Sequence, residues 1–513
     1  MKRARDEEPS PYPGQLKRTR LDSRHTDRVS KLSHELTLRI LSNLSVNDLA
    51  VCHRVSRHFR DLSSDSQLWK AHYYNRFVRP RAARIPSVRS DASGDAGQQL
   101  HFSSKLSKWL DEDKLVRKGR ETNWKRQYKL RHNWAQGTCS VSEIPVSDTQ
   151  SVPPLLVAMQ DSTIILADRD DGLRAWGTTA GKGMLASLAW DEIPGHDAQS
   201  PPSALAVDMS KADSSGTKLA IGFQDGSFAL FSLDHSARKF RSLYRHAASS
   251  NGMLSAVALS YPHLATMTAT QLLSVYAFPS SPTSPTLIHS LHSTSVLPPL
   301  TLSIRPTPTS ILIAISYALP SYLRGWTLGI QELHLDPATS ALVSSRLATA
   351  HRPSSPSATE IHTLPTALSY SHPYLLAAHP DNTLSLYLVS SDAEGLRIAP
   401  PTRLWGHTSA VTGATIGGRG RAVSVTRGAD EVRVWDLEGR VARAKAEAGD
   451  AGVRVVPARK DSGVVNKPCG LDGKIVEEDV CLSRGWVGFD EESVVLLKER
   501  AGCGQSLVVY DFA

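Results

Sequence analysis

The sequence predicts an all-α N-terminal unit and a short helical linker, followed by an all-β β-propeller of seven blades, with eight as the alternative. Three observations predict it. Leucines at three- and four-residue steps concentrate between residues 30 and 75; the pattern changes to short strands from about residue 138; and one strand plan then recurs down the rest of the chain.

At 513 residues and 40% hydrophobic content the chain can bury a large core, and its length points to more than one domain. No window approaches the 18 or so apolar residues of a membrane span, and "MKRARDEEPSPYPGQLKRTRLD" has charges and prolines where a secretory signal needs an apolar stretch. The expectation is an intracellular protein of the nucleus, the cytoplasm or both, with no membrane partner. Cys52, Cys139, Cys469, Cys481 and Cys503 are scattered, with no C-x-x-C pair and no Cys/His spacing for zinc, so they read as reduced thiols and no metal or other cofactor is expected. The net charge of +9 is unevenly spread. Residues 1–135 hold 29 Lys and Arg against 15 Asp and Glu, a balance of +14, which leaves −5 for the remainder.

Residues 1–27 are polar, bear prolines and lack large apolar side chains; they read as a disordered basic tail. Lys2, Arg3 and Arg5, then Lys17, Arg18 and Arg20, are spaced like a bipartite nuclear import signal, although solvated tails often carry such clusters. Over 28–78, Leu32, Leu36, Ile40, Leu41 and Leu44 make one helical stripe. "SVND" supplies capping residues, and Leu49, Cys52, Val55, Phe59 and Leu62 make a second stripe. So small a unit cannot bury every apolar face against itself, which predicts a partner. Residues 79–100 are rich in Arg, Ser, Pro and Gly and read as a flexible linker; 101–137, with Trp109, Trp124, Tyr128 and Trp134, reads as a helical linker able to join the domains rigidly.

The propeller is assigned to 138–513. "STIILADRDDGLRAWG", "KLAIGFQDGSFALFSL", "HLATMTATQLLSVYAF", "YLLAAHPDNTLSLYLV" and "RAVSVTRGADEVRVWDL" share an apolar strand, a turn with Asp, Asn or Gln, and a strand ending in an aromatic residue. "ILIAISYALPSYLRGWTLGIQELHL" and the C-terminal "GWVGFDEESVVLLKERAGCGQSLVVYDF" supply two more hairpins, giving seven units of about 54 residues each. That average exceeds the usual blade length, so loops are enlarged or an eighth blade is hidden.

"LSHELTLRILSNLSVNDLAVCHRVSRHFRDLSSDSQLWK" resembles the F-box, with Leu32, Glu35-Leu36, Ile40-Leu41, Leu44, Asp48-Leu49, Val55, Arg57, Phe59, Arg60 and Leu68-Trp69 on the pattern. Ser33 departs from it, standing where the family usually has proline. "TNWKRQYKLRHNWAQG" resembles the segment leading into the propeller of F-box/WD-repeat proteins, and "LWGHTSAV" with "EVRVWDLEG" is the clearest WD repeat; the other blades are degenerate. The resemblance implies a WD40-like propeller and a substrate receptor of an SCF-type ubiquitin ligase. It makes Leu32, Ser33, Leu36, Ile40, Leu41, Leu44, Asp48, Leu49, Val55 and Phe59 the adaptor-binding residues. The implied partners are the adaptor subunit, a cullin held through it, and an unknown target protein bound by the propeller. The chain itself would be non-catalytic.

Asp171, Asp225, Asp381 and Asp430 fall in strand-to-strand turns, where the family uses aspartate structurally; His407, Thr426 or Ser424, Asp430 and Trp435 are expected to form one such network. Family members that read phosphopeptides place arginine just before the turn aspartate. Arg169 matches that place, Gln224 occupies it in another blade, and Arg427 is close but out of step; together they are the candidate substrate-binding residues, weighed against ordinary surface positions. "GKG" at 181–183 and "GGRG" at 417–420 lack the context of a phosphate-binding loop and read as turns. Two alternatives stand beside the ligase reading: a non-degradative F-box/propeller scaffold, and, more weakly, association with chromatin or nucleic acid through the basic N-terminal part.

Overall fold

The computed structural model describes residues 29, 32–82, 122–178, 183–193, 200–209, 216–278, 284–293, 296–307, 309–320, 325–350, 363–392, 395–438, 452–457, 485–500 and 504–513. The predicted basic tail, most of the flexible linker, residues 101–121 of the helical linker, and Cys469, Cys481 and Cys503 lie outside these residues. The chain divides into two compact units, one ending at Tyr128 and the other beginning at Lys129.

In the first unit, α1 (His34–Leu41), α2 (Val46–Val55), α3 (Arg57–Ser63) and α4 (Ser66–Tyr73) are each opened by a serine or aspartate cap or an extended serine. Ser45 and Asp48 form a reciprocal capping box, Ser56 accepts from the Phe59 amide at 3.2 Å, and Asp65 accepts from the Gln67 amide at 2.8 Å. Ser33 precedes α1 with φ −62 and ψ 154, the dihedral a proline would fix. The missing proline therefore leaves the local backbone path unchanged. Leu41, Leu49, Leu62, Leu68, Trp69, Tyr73 and Val78 form the core. It is completed by Trp124 and Tyr128: Tyr128 meets Trp69 edge-on at 5.4 Å, and its hydroxyl accepts from Arg76 at 2.6 Å.

The second unit is a ring of seven antiparallel sheets, as the repeat count predicts. Blades one to six occupy 156–188, 202–246, 254–292, 297–349, 367–404 and 411–454. Blade seven is composite: Val487–Phe489, Ser493–Arg500 and Gly504–Asp511 are joined by the early strand Thr138–Ser147, which pairs antiparallel with Gly504–Asp511. Between each pair of neighbouring blades lies one apolar cluster, seven in all among the described residues. Because a blade is covered on both faces, its second strand is buried without alternation; Thr163–Ala167 and His263–Thr268 are buried at every residue.

The helix Trp124–Gln136 contributes Leu130 and Trp134 to this second unit. Trp134 stacks on Phe512 with ring centroids 4.1 Å apart and donates to the Glu491 carbonyl at 2.9 Å, while Asn133 donates to the Phe512 carbonyl at 2.8 Å. Gly137 then turns the chain into the first strand at φ +70, where a Cβ would come within 2.2 Å of the Arg454 carbonyl oxygen. Only glycine suits both the left-handed backbone and that approach.

Candidate functional site

Helical geometry splits the first unit's leucine stripe in two. At about 100° per residue, positions 36 and 40 share one line of α1 and positions 37 and 41 the next. The second line faces the core: Thr37 and Leu41 are buried, and the Thr37 hydroxyl is satisfied by the Ser33 carbonyl at 3.1 Å. The first line faces solvent, with Leu36 54% and Ile40 50% exposed. On α2 the pair Val51 and Val55 is likewise presented, 62% and 66% exposed.

Of the residues expected to meet a partner, Leu36, Ile40 and Val55 are therefore available. Leu41 and Leu49 are not: at 2% and 1% exposed they are core, and they act by holding the helices. Leu44 and Phe59 are half-buried and pack on the same core, Leu32 is half-buried, and Ser33 is exposed. Asp48 has its carboxylate committed to capping, 2.7 Å from the Ser45 hydroxyl. Val51 escaped the sequence reading because it lies off the Leu49–Cys52 stripe; its signal was the four-residue step to Val55. Four exposed aliphatic side chains on so small a unit, each worth about 1.5–3 kcal/mol if fully buried, make it a candidate docking surface.

In the propeller, the turns between second and third strands share one end of the ring with the connections between blades. Arg169, Gln224 and Arg427 are all exposed in such turns, in blades one, two and six. The same end carries a residue the sequence reading passed over: Trp405, exposed in the connection from blade five to blade six. The Arg403 guanidinium lies 5.7 Å from its ring centroid and pairs with Asp381 at 3.4 Å. The exposed indole beside a guanidinium makes this end a candidate binding surface, since Trp and Arg dominate interface energetics.

The structural network of blade six differs from expectation in two members. His407 Nε2 lies 2.6 Å from the Ser424 hydroxyl, which accepts from Trp435 Nε1 at 2.8 Å, so Ser424 is the hydroxyl at the centre. Thr426 bonds the Glu431 backbone, receiving its amide at 3.1 Å. The acid is Glu431, not Asp430: its carboxylate lies 3.5 Å from His407 Nδ1 and accepts from Arg433 Nε at 2.8 Å, while Asp430 is exposed. The turn Arg427–Ala429 contains Gly428 at φ +78, as the corresponding turns of blades one and two contain Gly172 and Gly226, both at φ +79. Blade five has a similar pair that the sequence reading missed, His379 Nε2 at 2.9 Å from the Ser385 hydroxyl. Elsewhere the turn aspartates serve their own turns: Asp225 accepts from the Ser227 hydroxyl at 2.7 Å and Asp381 from the Thr383 hydroxyl at 2.6 Å, while Asp171 pairs with Arg174 at 2.9 Å.

Burial pushes the His407 and His379 imidazoles down from 6.5 to about 4. Burial opposes ionisation of Glu431, but hydrogen bonds from Thr408 and Arg433 outweigh it and hold the carboxyl at about 2. All three folded-state values lie below the ordinary ones, so the unfolded chain binds more protons on acidification. Stability is expected to fall as pH drops from 6.5 through 4, where the histidines must charge, and further below 4.5 as Glu431 protonates. Urea midpoints measured across that range check it; a flat profile would contradict the network.

The helical unit and the propeller together define a class: an F-box protein carrying a β-propeller. Residues 32–75 match the F-box-like family, and residues 139–513 match the family described as F-box protein pof12 beta-propeller. The chain belongs to the latter family. It is 24% identical over 430 residues to F-box protein pof12 of Schizosaccharomyces pombe, covering 81% of this chain and 86% of that one. Among solved structures it resembles the RRP9 WD40 repeats (TM-score 0.40, 12% identity, 71% of this chain and 99% of that one) and the C-terminal WD40 domain of Sif2 (TM-score 0.39, 12% identity, 73% and 84%).

Proposed function

We propose that this F-box/propeller protein is the substrate-recognition subunit of an SCF-type ubiquitin ligase. The observation that carries the reading is the solvent-facing pair Leu36 and Ile40 on an F-box unit whose core is already complete without them. In this reading they dock with Val51 and Val55 on the ligase's adaptor, and a cullin is recruited through it. The propeller end around Trp405, with Arg169, Gln224 and Arg427 on the same end, holds the target protein. The chain performs no catalysis; it raises the effective concentration of a target lysine beside a charged ubiquitin-conjugating enzyme. It works in the nucleus, the cytoplasm or both.

The test is deletion of residues 32–75 in cells, followed by turnover of the proteins that copurify with the propeller. Bound targets should be retained and should live longer. Unchanged turnover would favour the non-degradative scaffold instead. A Trp405→Ala chain should keep the adaptor and lose targets by about tenfold or more, the usual loss for a central interface tryptophan.

A further inference from the structure

One blade interface is not wholly apolar. In blade four the register aligns Ser303 with Ala314 and Ala314 with Glu332, and it aligns Arg305 with Leu312 and Leu312 with His334. Directly opposed residues share a face, so the short side chains Ser303 and Ala314 stand beside two charged ones on the side that meets blade five. Blade five answers with Tyr370 and His372. The result is a cavity of about 210 Å³ bounded by Ser303, Arg305, Ala314, Glu332, Tyr370 and His372. It lies toward the end of the ring opposite the Trp405 surface, beside the turns that join first to second strands.

The charges in this cavity are incompletely answered by the protein. Glu332 is 1% exposed; one carboxylate oxygen accepts from the Tyr370 hydroxyl at 3.2 Å and the other from the Ser391 hydroxyl at 2.6 Å. Two such donors leave about half of a carboxylate's four lone-pair positions unfilled. The nearest basic group is His334, 3.6 Å away, and burial holds its imidazole below the ordinary histidine range; burial does the same to His372. Arg305 lines the same cavity, and its guanidinium has no hydrogen-bond or ion-pair partner among the described residues. A buried carboxylate without a direct cationic partner is costly, and the partly exposed Arg305 stands at the same cavity with its charge available to an anion.

We propose that this cavity binds a small zwitterion of the free α-amino-acid class, its ammonium taken by Glu332 and its carboxylate by Arg305. The chemistry needs both signs on one small molecule, because Arg305 disfavours a bare cation and Glu332 a bare anion. The volume suits it, since an engineered cavity of about 150 Å³ holds benzene. Bound there, the molecule bridges blades four and five.

The experiment titrates the full-length protein with each L-amino acid separately, at up to millimolar concentration, by calorimetry and thermal shift. The matching decarboxylated amine and deaminated acid serve as controls. At least one amino acid should bind saturably and raise Tm, with both controls at least tenfold weaker. Glu332→Gln and Arg305→Leu should each weaken it tenfold or more. Arg305 makes no hydrogen bond among the described residues, so its variant remains folded if Glu332→Gln does not. No saturable binding by any amino acid, binding equalled by either control, or binding indifferent to Arg305→Leu overturns the proposal.

Discussion

A chain carrying Leu36→Glu and Ile40→Glu is expected to lose the adaptor from purified complexes while keeping its targets and its melting temperature. Both side chains already face water, so the change costs the folded unit little; exposed substitutions of this kind usually stay within about 0.5 kcal/mol. At a docked interface the same change buries two carboxylates against apolar surface. With each of the two anchors worth about 2 kcal/mol or more, affinity should drop by about 1,000-fold or beyond. Leu41→Ala is the informative contrast. That side chain is in the core, so its truncation should cost about 2–5 kcal/mol of stability and reduce binding only as the unit unfolds. Full retention of the adaptor by the double glutamate variant would remove α1 as the docking element.

The second large effect is expected at Trp435. The indole is fully buried between blades five and six, and its N–H satisfies Ser424, which also meets His407. Truncation to alanine removes a fully buried indole, leaves the Ser424 hydroxyl without its Trp435 donor and strips His407 of a ring neighbour. About 3–5 kcal/mol for the cavity, with a further 1–3 kcal/mol for the lost hydrogen bond, is the expected loss in urea unfolding. Trp435→Phe keeps most of the volume and should recover more than half of it. A loss under 1 kcal/mol for the alanine variant would show that the network has little hold on the blade.

The architecture was legible because both of its periods are strong. Helix-spaced leucines over 32–44 and the recurring strand, turn and aromatic strand gave a helical unit and a seven-bladed ring, which the structure shows. The composite seventh blade was harder to see, since nothing within Thr138–Ser147 says that its partner lies more than 350 residues away. Over residues 32–44, the reading placed Leu32, Leu36, Ile40, Leu41 and Leu44 together on one face. It could not foresee that Thr37 would occupy the core line, because a threonine hides there only when its hydroxyl finds the carbonyl one turn back. In blade six the acid beside His407 stands at position 431, one residue past the turn aspartate that the repeat pattern singles out. Trp405 was overlooked because the motif around it draws attention to the glycine and histidine that follow.

Blade seven also sets an order of events during synthesis. The F-box unit has every core residue once Tyr128 has emerged from the ribosome, whereas the ring closes only when Gly504–Asp511 reaches the strand made more than 350 residues earlier. At about 5–20 residues per second, that leaves a newborn chain for tens of seconds with a finished dock and an open reader. On the function proposed above, any product released in that interval would occupy an adaptor and deliver nothing to it.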